Sequence, residues 1–265
     1  MNKSDNNIKK RISRRQFIKG AGGLIIAGAA AGILGLNYGK EESIYAANMG
    51  EANRQWVLVF DLRLCDGCEQ CTKACQKDHY LPKEQEWIKV YKVDGALGKP
   101  YFMPVTCMQC ENAPCVKVCP VKATYKTTDG LTLIDQSKCI GCRMCMAACP
   151  YHARYFNWED EDYPPVPSSL ANSPAFNIPA IKGTVSKCEF CTHLTRSGEL
   201  PECVRACQMD AVFLGDLLSD VAVNRNKTVK LSSLLQDNDA FRLKEELNTR
   251  PSVYYIAGHG QDYVY

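Results

Sequence analysis

The sequence lacks the usual signatures of an active site. It has no Walker loop, no glycine fingerprint of a dinucleotide fold and no Ser–His–Asp grouping. Its four histidines, His79, His152, His193 and His259, are scattered. These absences argue against a chain that catalyses a reaction alone. Cysteine is missing from the first 64 and the last 58 of the 265 residues. A basic excess is missing from most of the chain. Residues 1–47 carry eight basic against three acidic side chains, so the formal charge of +3 divides into +5 there and −2 over residues 48–265. No nucleic-acid partner is therefore expected. Outside residues 20–36 no apolar run approaches the length of a membrane span, which argues against a polytopic membrane protein. With 46% hydrophobic and 23% charged residues, wholesale disorder is excluded too.

The basic end has a pattern of its own. Ser13-Arg14-Arg15-Gln16-Phe17-Ile18-Lys19 precedes an uncharged run of six Gly, five Ala and six Leu or Ile over residues 20–36. That run is short for a span and poor in large apolar side chains. A basic segment, a mild apolar segment and then small residues make an export signal, and Arg14-Arg15 with Phe17, Ile18 and Lys19 resembles the twin-arginine type. An ordinary signal anchor and a basic amphipathic arm are the alternatives. Ala46 and Ala47 suit a cleavage site and Tyr45 does not, so cleavage and a retained anchor both stay open. Residues 1–47 are read as this signal, with the twin-arginine translocase as partner during export. The expected location is the periplasm or the outer face of the cytoplasmic membrane.

All 16 cysteines fall in the 143 residues from Cys65 to Cys207, a local density of 11%. They form four complete groups. These are Cys65-x2-Cys68-x2-Cys71-x3-Cys75, Cys107-x2-Cys110-x4-Cys115-x3-Cys119-Pro120, Cys139-x2-Cys142-x2-Cys145-x3-Cys149-Pro150, and Cys188-x2-Cys191-x11-Cys203-x3-Cys207. The third has the spacing of the bacterial ferredoxin run for [4Fe–4S] clusters. Three thiolates on a tight loop can wrap one face of a cubane, and the fourth, a helical turn on, points elsewhere. Gly67 and Gly141 sit where these loops must bend sharply. Disulfides and zinc are the competing readings. An exported chain with an even cysteine count suits disulfides, and Cys-x2-Cys pairs suit zinc. Neither explains a repeated Cys-x2-Cys-x2-Cys core.

Between the groups, the run Trp56 to Phe60 reads as a buried strand, and Trp87 to Val93 and Tyr101 to Val105 as weaker ones. Ala123 to Lys126 and Leu131 to Ile134, joined by Thr128-Asp129-Gly130, read as a hairpin. Residues 160–181 hold five prolines and suit either an ordered clamp or a flexible linker. Helices are predicted near residues 230–236 and 240–248, and a last strand over 252–257. Tyr254 and Tyr255 are read as packing residues.

The chain resembles the four-cluster ferredoxin-type electron-transfer subunits of membrane-associated molybdopterin oxidoreductases. The stretches that carry the likeness are Asp61-Leu62-Arg63-Leu64-Cys65, Cys115-Val116-Lys117-Val118-Cys119-Pro120-Val121 and Cys188-Glu189-Phe190-Cys191-Thr192-His193, with Gly198 to Cys203 and Pro251 to Tyr255. Tetrathionate reductase, formate-dependent nitrite reductase and dimethyl sulfoxide reductase have such subunits. The resemblance implies an α+β fold of two ferredoxin-like modules, each for two [4Fe–4S] clusters, with β-hairpins, short helices and a wrapping C-terminal extension. Residues 52–106 and 182–216 would form the outer module and 107–159 the inner. Residues 160–181 would be an insertion and 217–265 the extension. It also implies the ligand sets. Cluster 1 would use Cys65, Cys68, Cys71 and Cys207, and cluster 2 Cys75, Cys188, Cys191 and Cys203. Cluster 3 would use Cys107, Cys110, Cys115 and Cys149, and cluster 4 Cys119, Cys139, Cys142 and Cys145.

A cubane with four cysteine ligands leaves no open metal position, so a relay of single electrons is expected. The resemblance implies a molybdopterin catalytic subunit at one end and a multi-span quinone-binding membrane subunit at the other. The segment between Cys149 and Cys188, with Tyr155-Phe156-Asn157-Trp158, is similar to the sulfate-reducer type. That favours an alternative, a cytochrome- and quinone-linked transmembrane complex of sulfur metabolism without molybdenum. A free-standing exported ferredoxin and an exported disulfide-rich binding protein are further competitors. Lys73, Lys117 and Arg143 lie between ligands and either raise cluster potentials or are solvated. His193 either tunes a cluster or packs.

Overall fold

A computed structural model describes residues 53–95, 98, 100–159 and 162–258. The residues expected to form an export signal, Arg14 and Arg15 among them, lie outside the described residues. Among the described residues the architecture is α+β, with one five-stranded sheet, three two-stranded sheets and short helices.

The five-stranded sheet grows from an unbroken apolar run, Trp56 to Phe60. Its strands are β1 (Trp56–Asp61), β8 (Val212–Asp216), β9 (Val221–Val223), β10 (Thr228–Lys230) and β11 (Val253–Ile256), in the order β10-β9-β8-β1-β11. β1 runs antiparallel to β8, from Trp56 opposite Asp216 to Phe60 opposite Val212, and parallel to β11. Because β1 does not alternate apolar with polar residues, both of its faces are buried. Trp56, Leu58 and Phe60 join the main core with the cysteine-bearing loops. Val57 and Val59 face a second core with Phe213, Ala222, Leu231 and Ile256. Three of the five strands come from residues beyond 216, so the C-terminal segment builds the sheet as well as covering it.

The predicted hairpin is β4 (Thr124–Lys126) with β5 (Thr132–Ile134), Thr124 opposite Ile134. β2 (Ile88–Asp94) pairs with β3 (Pro100–Thr106), and β6 (Tyr155–Phe156) with β7 (Val185–Ser186). The helices are α1 (Gln70–Asp78), α2 (Pro114–Lys117), α3 (Met144–Ala147), α4 (Thr192–Thr195), α5 (Glu202–Arg205) and α6 (Leu231–Gln236). The first five start inside cysteine groups. The helix expected near 240–248 does not form. Phe241 instead bridges Tyr255, with both backbone hydrogen bonds at 2.8 Å, and only Glu245–Leu247 turn as a 3-10 helix. Pairing to β11 takes the backbone groups that a helix would need.

The Pro-rich segment is tied down where it is described. Asn177 is buried and donates to the Ile134 carbonyl at 3.1 Å and to the Glu189 carboxylate. Phe176 packs on His193 with ring centroids 4.3 Å apart. It is an ordered loop lying over the fourth cysteine group. Among the described residues no helix is long and apolar enough to cross a membrane.

Candidate metal centre

The four groups share one backbone device. The residue two after the first cysteine has a left-handed φ in every group: Gly67 at 78°, Gln109 at 45°, Gly141 at 68° and Phe190 at 53°. This turn aims backbone N–H groups inward. The Gly67 N–H reaches Cys65, and the Phe190 N–H reaches Cys188. Two of the loops achieve it without glycine. Gln109 is fully buried, donating to the Cys188 carbonyl at 2.8 Å and accepting from Thr132 N–H at 2.7 Å. Phe190 is buried in the core. Side-chain anchoring there offsets the strain that glycine would avoid.

None of the sixteen cysteines is paired in a disulfide. The structure gathers them four at a time, and each gathering draws its fourth member from a different group. Cys65, Cys68, Cys71 and Cys207 line one cavity of about 400 Å³, its open mouth included. Cys119, Cys139, Cys142 and Cys145 line another of about 320 Å³. Cys75, on α1, lies among Cys188, Cys191 and Cys203. Burial first, and these three neighbours next, push its thiol far up. Cys110 is pushed up to about 12 by burial, then by Cys107, with Cys115 and Cys149 also acting on it. Four sulfur donors around one space is the donor set that a cubane cluster requires.

The gatherings also adjoin one another in a row. Cys203 of the second is raised by burial and by its own neighbours, and then by Cys71 of the first. Cys188 of the second is raised to about 11 by burial, with Cys107 of the third contributing. Cys145 of the fourth feels burial first, and Cys115 of the third is among its charged neighbours. Only Cys68 and Cys142 are exposed, one in each end gathering.

Among the histidines the structure selects His79. Its Nε2 lies 3.4 Å from the Cys191 Sγ, and burial lowers its pKa to about 4, so it is neutral at physiological pH. The sequence signal was its place four residues after Cys75, one helical turn along α1. His193, singled out in the sequence, instead faces the Asp78 carboxylate at 3.1 Å. Lys73, Lys117 and Arg143 are exposed, and Arg143 stacks over Phe156 and Trp158, 5.1 Å from each ring. The shielded cations beside the sulfurs are others: Lys126, which is half-buried, and Arg154 and Lys187, which are buried.

Two 4Fe-4S dicluster domain families match the chain, over residues 64–123 and 99–164. A protein assigned as a dimethyl sulfoxide reductase iron-sulfur subunit in Halobacterium salinarum is 39% identical over 219 residues, 76% of this chain and 78% of its own. A tetrathionate reductase subunit of Salmonella typhimurium is 31% identical, across 92% of this chain and 88% of its own. The chain belongs to this family of iron–sulfur electron-transfer subunits. A further relative, the menaquinone reductase iron-sulfur cluster-binding subunit of Nitratidesulfovibrio vulgaris, is 35% identical over 77% of this chain and 89% of its own. Both dicluster matches end before Cys188. The last cysteine group of this iron–sulfur subunit therefore rests on its spacing and on its place beside Cys75.

Proposed function

We propose that this iron–sulfur subunit holds four [4Fe–4S] clusters and relays single electrons between a molybdopterin catalytic subunit and a quinone-binding, multi-span membrane subunit. The carrying observation is the row of four thiol gatherings with an exposed cysteine at each end only. Cys68 and Cys142 mark the two places where a redox partner can approach. The ligand sets proposed are those four gatherings, each completed by the cysteine that its neighbouring group lends: Cys207, Cys75, Cys149 and Cys119. Bound clusters supply one-electron redox chemistry. The chain's residues deprotonate to ligate, surround the middle sites with apolar side chains, and aim N–H groups at sulfur, which stabilises added negative charge.

Anaerobically purified protein is expected to carry about 16 Fe and as much sulfide, four per cubane. Stoichiometric zinc without visible absorbance would overturn the reading. Replacing Cys142 by Ser should remove or convert one cluster only, read by iron content and electron paramagnetic resonance.

The menaquinone reductase relative supports the quinone end of this relay, and a second reading places that end in a quinone-linked transmembrane complex without molybdenum. Purifying the native complex and assaying molybdenum separates the two. Export by the twin-arginine route, with work at the outer face of the cytoplasmic membrane, completes the proposal. Its support is the Arg14-Arg15 segment.

A further inference from the structure

The three shielded cations near the sulfurs, half-buried Lys126 and buried Lys187 and Arg154, end differently. Lys126 donates its Nζ to the Cys110 carbonyl at 3.0 Å, and Lys187 donates to the Cys188 carbonyl at 2.8 Å. Both heads finish on backbone oxygen. Arg154 does not. It follows the third cysteine group, immediately before β6, and is 5% exposed. Its Nη1 donates to Thr124 Oγ1, on β4, at 3.3 Å. Its Nη2 has no hydrogen-bond partner of its own among the described residues, while the guanidinium as a whole reaches the Cys115 and Cys145 sulfurs. The strongest opposing charges on the guanidinium are the Cys115, Cys145 and Cys107 sulfurs, with no carboxylate among them. Cys115 and Cys145 belong to different gatherings, the third and the fourth.

A guanidinium buried without a carboxylate is strongly unfavourable unless another anion faces it. The place is chemically incomplete as bare protein. A cubane with four thiolates carries about −2 when oxidised and one negative charge more when reduced. Two such groups, one on each side, would complete it. The planar fork of arginine suits this position, because one nitrogen can be held by Thr124 while the others face two sulfurs.

We propose that Arg154 is the shared cation of clusters 3 and 4, the pair of the inner module, and raises both of their reduction potentials together. This rests on the four-cluster reading above. The step concerned is the passage of one electron between neighbouring clusters, with no bond formed or broken and no proton moved. A fixed positive charge in a low-dielectric interior favours the more negative, reduced form of whatever it faces. The exposed Lys73, Lys117 and Arg143 are screened by water and salt and set no comparable bias. Arg154 is a positioning residue for charge. It touches ligand sulfur and carries no electron itself.

The test uses the full-length, anaerobically loaded chain and two variants, Arg154→Gln and Arg154→Lys. Potentiometric titration followed by electron paramagnetic resonance reads each cluster. Cys68→Ser and Cys142→Ser variants assign signals to the outer and inner pairs. In R154Q both inner clusters should become harder to reduce, about tenfold in the reduced-to-oxidised ratio at fixed potential, which is ~59 mV for one electron. The outer pair should stay in place. R154K keeps a point charge that can face only one of the two sulfurs, so one inner potential should fall and the other hold. Inner potentials unmoved in R154Q, or all four clusters moving alike, would overturn the proposal. Should R154Q fail to load, R154K decides: one displaced inner potential supports the proposal and none overturns it. A wild-type chain without iron–sulfur clusters overturns the underlying reading, whereas a fully loaded chain indifferent to Arg154 overturns this proposal alone.

Discussion

At the scale of single residues, the cysteine loops depend on left-handed backbone, and the consequence differs with the residue that supplies it. A Cβ on Gly141 would sit 2.2 Å from the Gly183 carbonyl oxygen, at a φ of 68°. Gly141→Ala should therefore destabilise the loaded chain by about 2 kcal/mol, read as a lower urea midpoint, since the left-handed turn alone costs roughly 1–2 kcal/mol. The glycines at 67 and 141 were legible in the sequence because glycine advertises this conformation. Gln109 and Phe190 were not, because what holds them is a partner on a distant segment. Asp216 makes a second residue-scale case. Burial raises its pKa, but hydrogen bonds from Gln55 N–H, Ser219, Leu218 N–H and Arg54 outweigh it and lower the value below the usual 3.8. A lowered folded pKa means that the stability contribution is present above the unfolded value and is lost as pH falls through the folded one. Asp216→Asn should cost about 1–3 kcal/mol at neutral pH, and its gap from wild type should close below about pH 4. A gap unchanged in acid would refute the assignment.

At the scale of elements, local patterns were readable where partners are adjacent in sequence. The 124–126 and 132–134 hairpin is an example, since its Asp-Gly turn brings the two strands together within eleven residues. The run Trp56–Phe60 announced a strand buried on both faces. Its partners, β8 and β11, lie about 155 and 195 residues away, and nothing local names them. The same distance explains the missing helix near 240–248: the backbone of Tyr255, fourteen residues on, claims the hydrogen bonds of Phe241. Tyr255 is the hinge of this packing. It stacks on Phe60 at 5.6 Å and donates its hydroxyl to the Pro104 carbonyl at 3.0 Å. Tyr255→Phe should keep the stacking and lose about 1–2 kcal/mol, because a buried carbonyl is left unpaired. Chemical denaturation measures it, and no loss would show that water replaces the hydroxyl.

For the whole molecule, charge and address go together. Residues 1–47, the proposed export signal, carry +5, and the rest of the chain is near −2 before any cluster is bound. Four oxidised clusters would take it to roughly −10. A loaded chain of that charge would suit the proposed twin-arginine route, which moves folded proteins. Replacing Arg14 and Arg15 together by Lys should strand loaded protein in the cytoplasm, measured by fractionation, and unchanged export would remove the twin-arginine proposal.

The sequence by itself determined the four cysteine groups and their spacing, because a metal-binding loop writes its candidate ligands close together in the chain. It also determined the family, through the stretches around those ligands. Only the tertiary structure decided which cysteine faces which neighbour, which histidine reaches a sulfur, and that Arg154 lies buried between Cys115 and Cys145. Those relations join residues from separate segments. Packing alone brings such residues together, and burial alone gives a charge among them its strength.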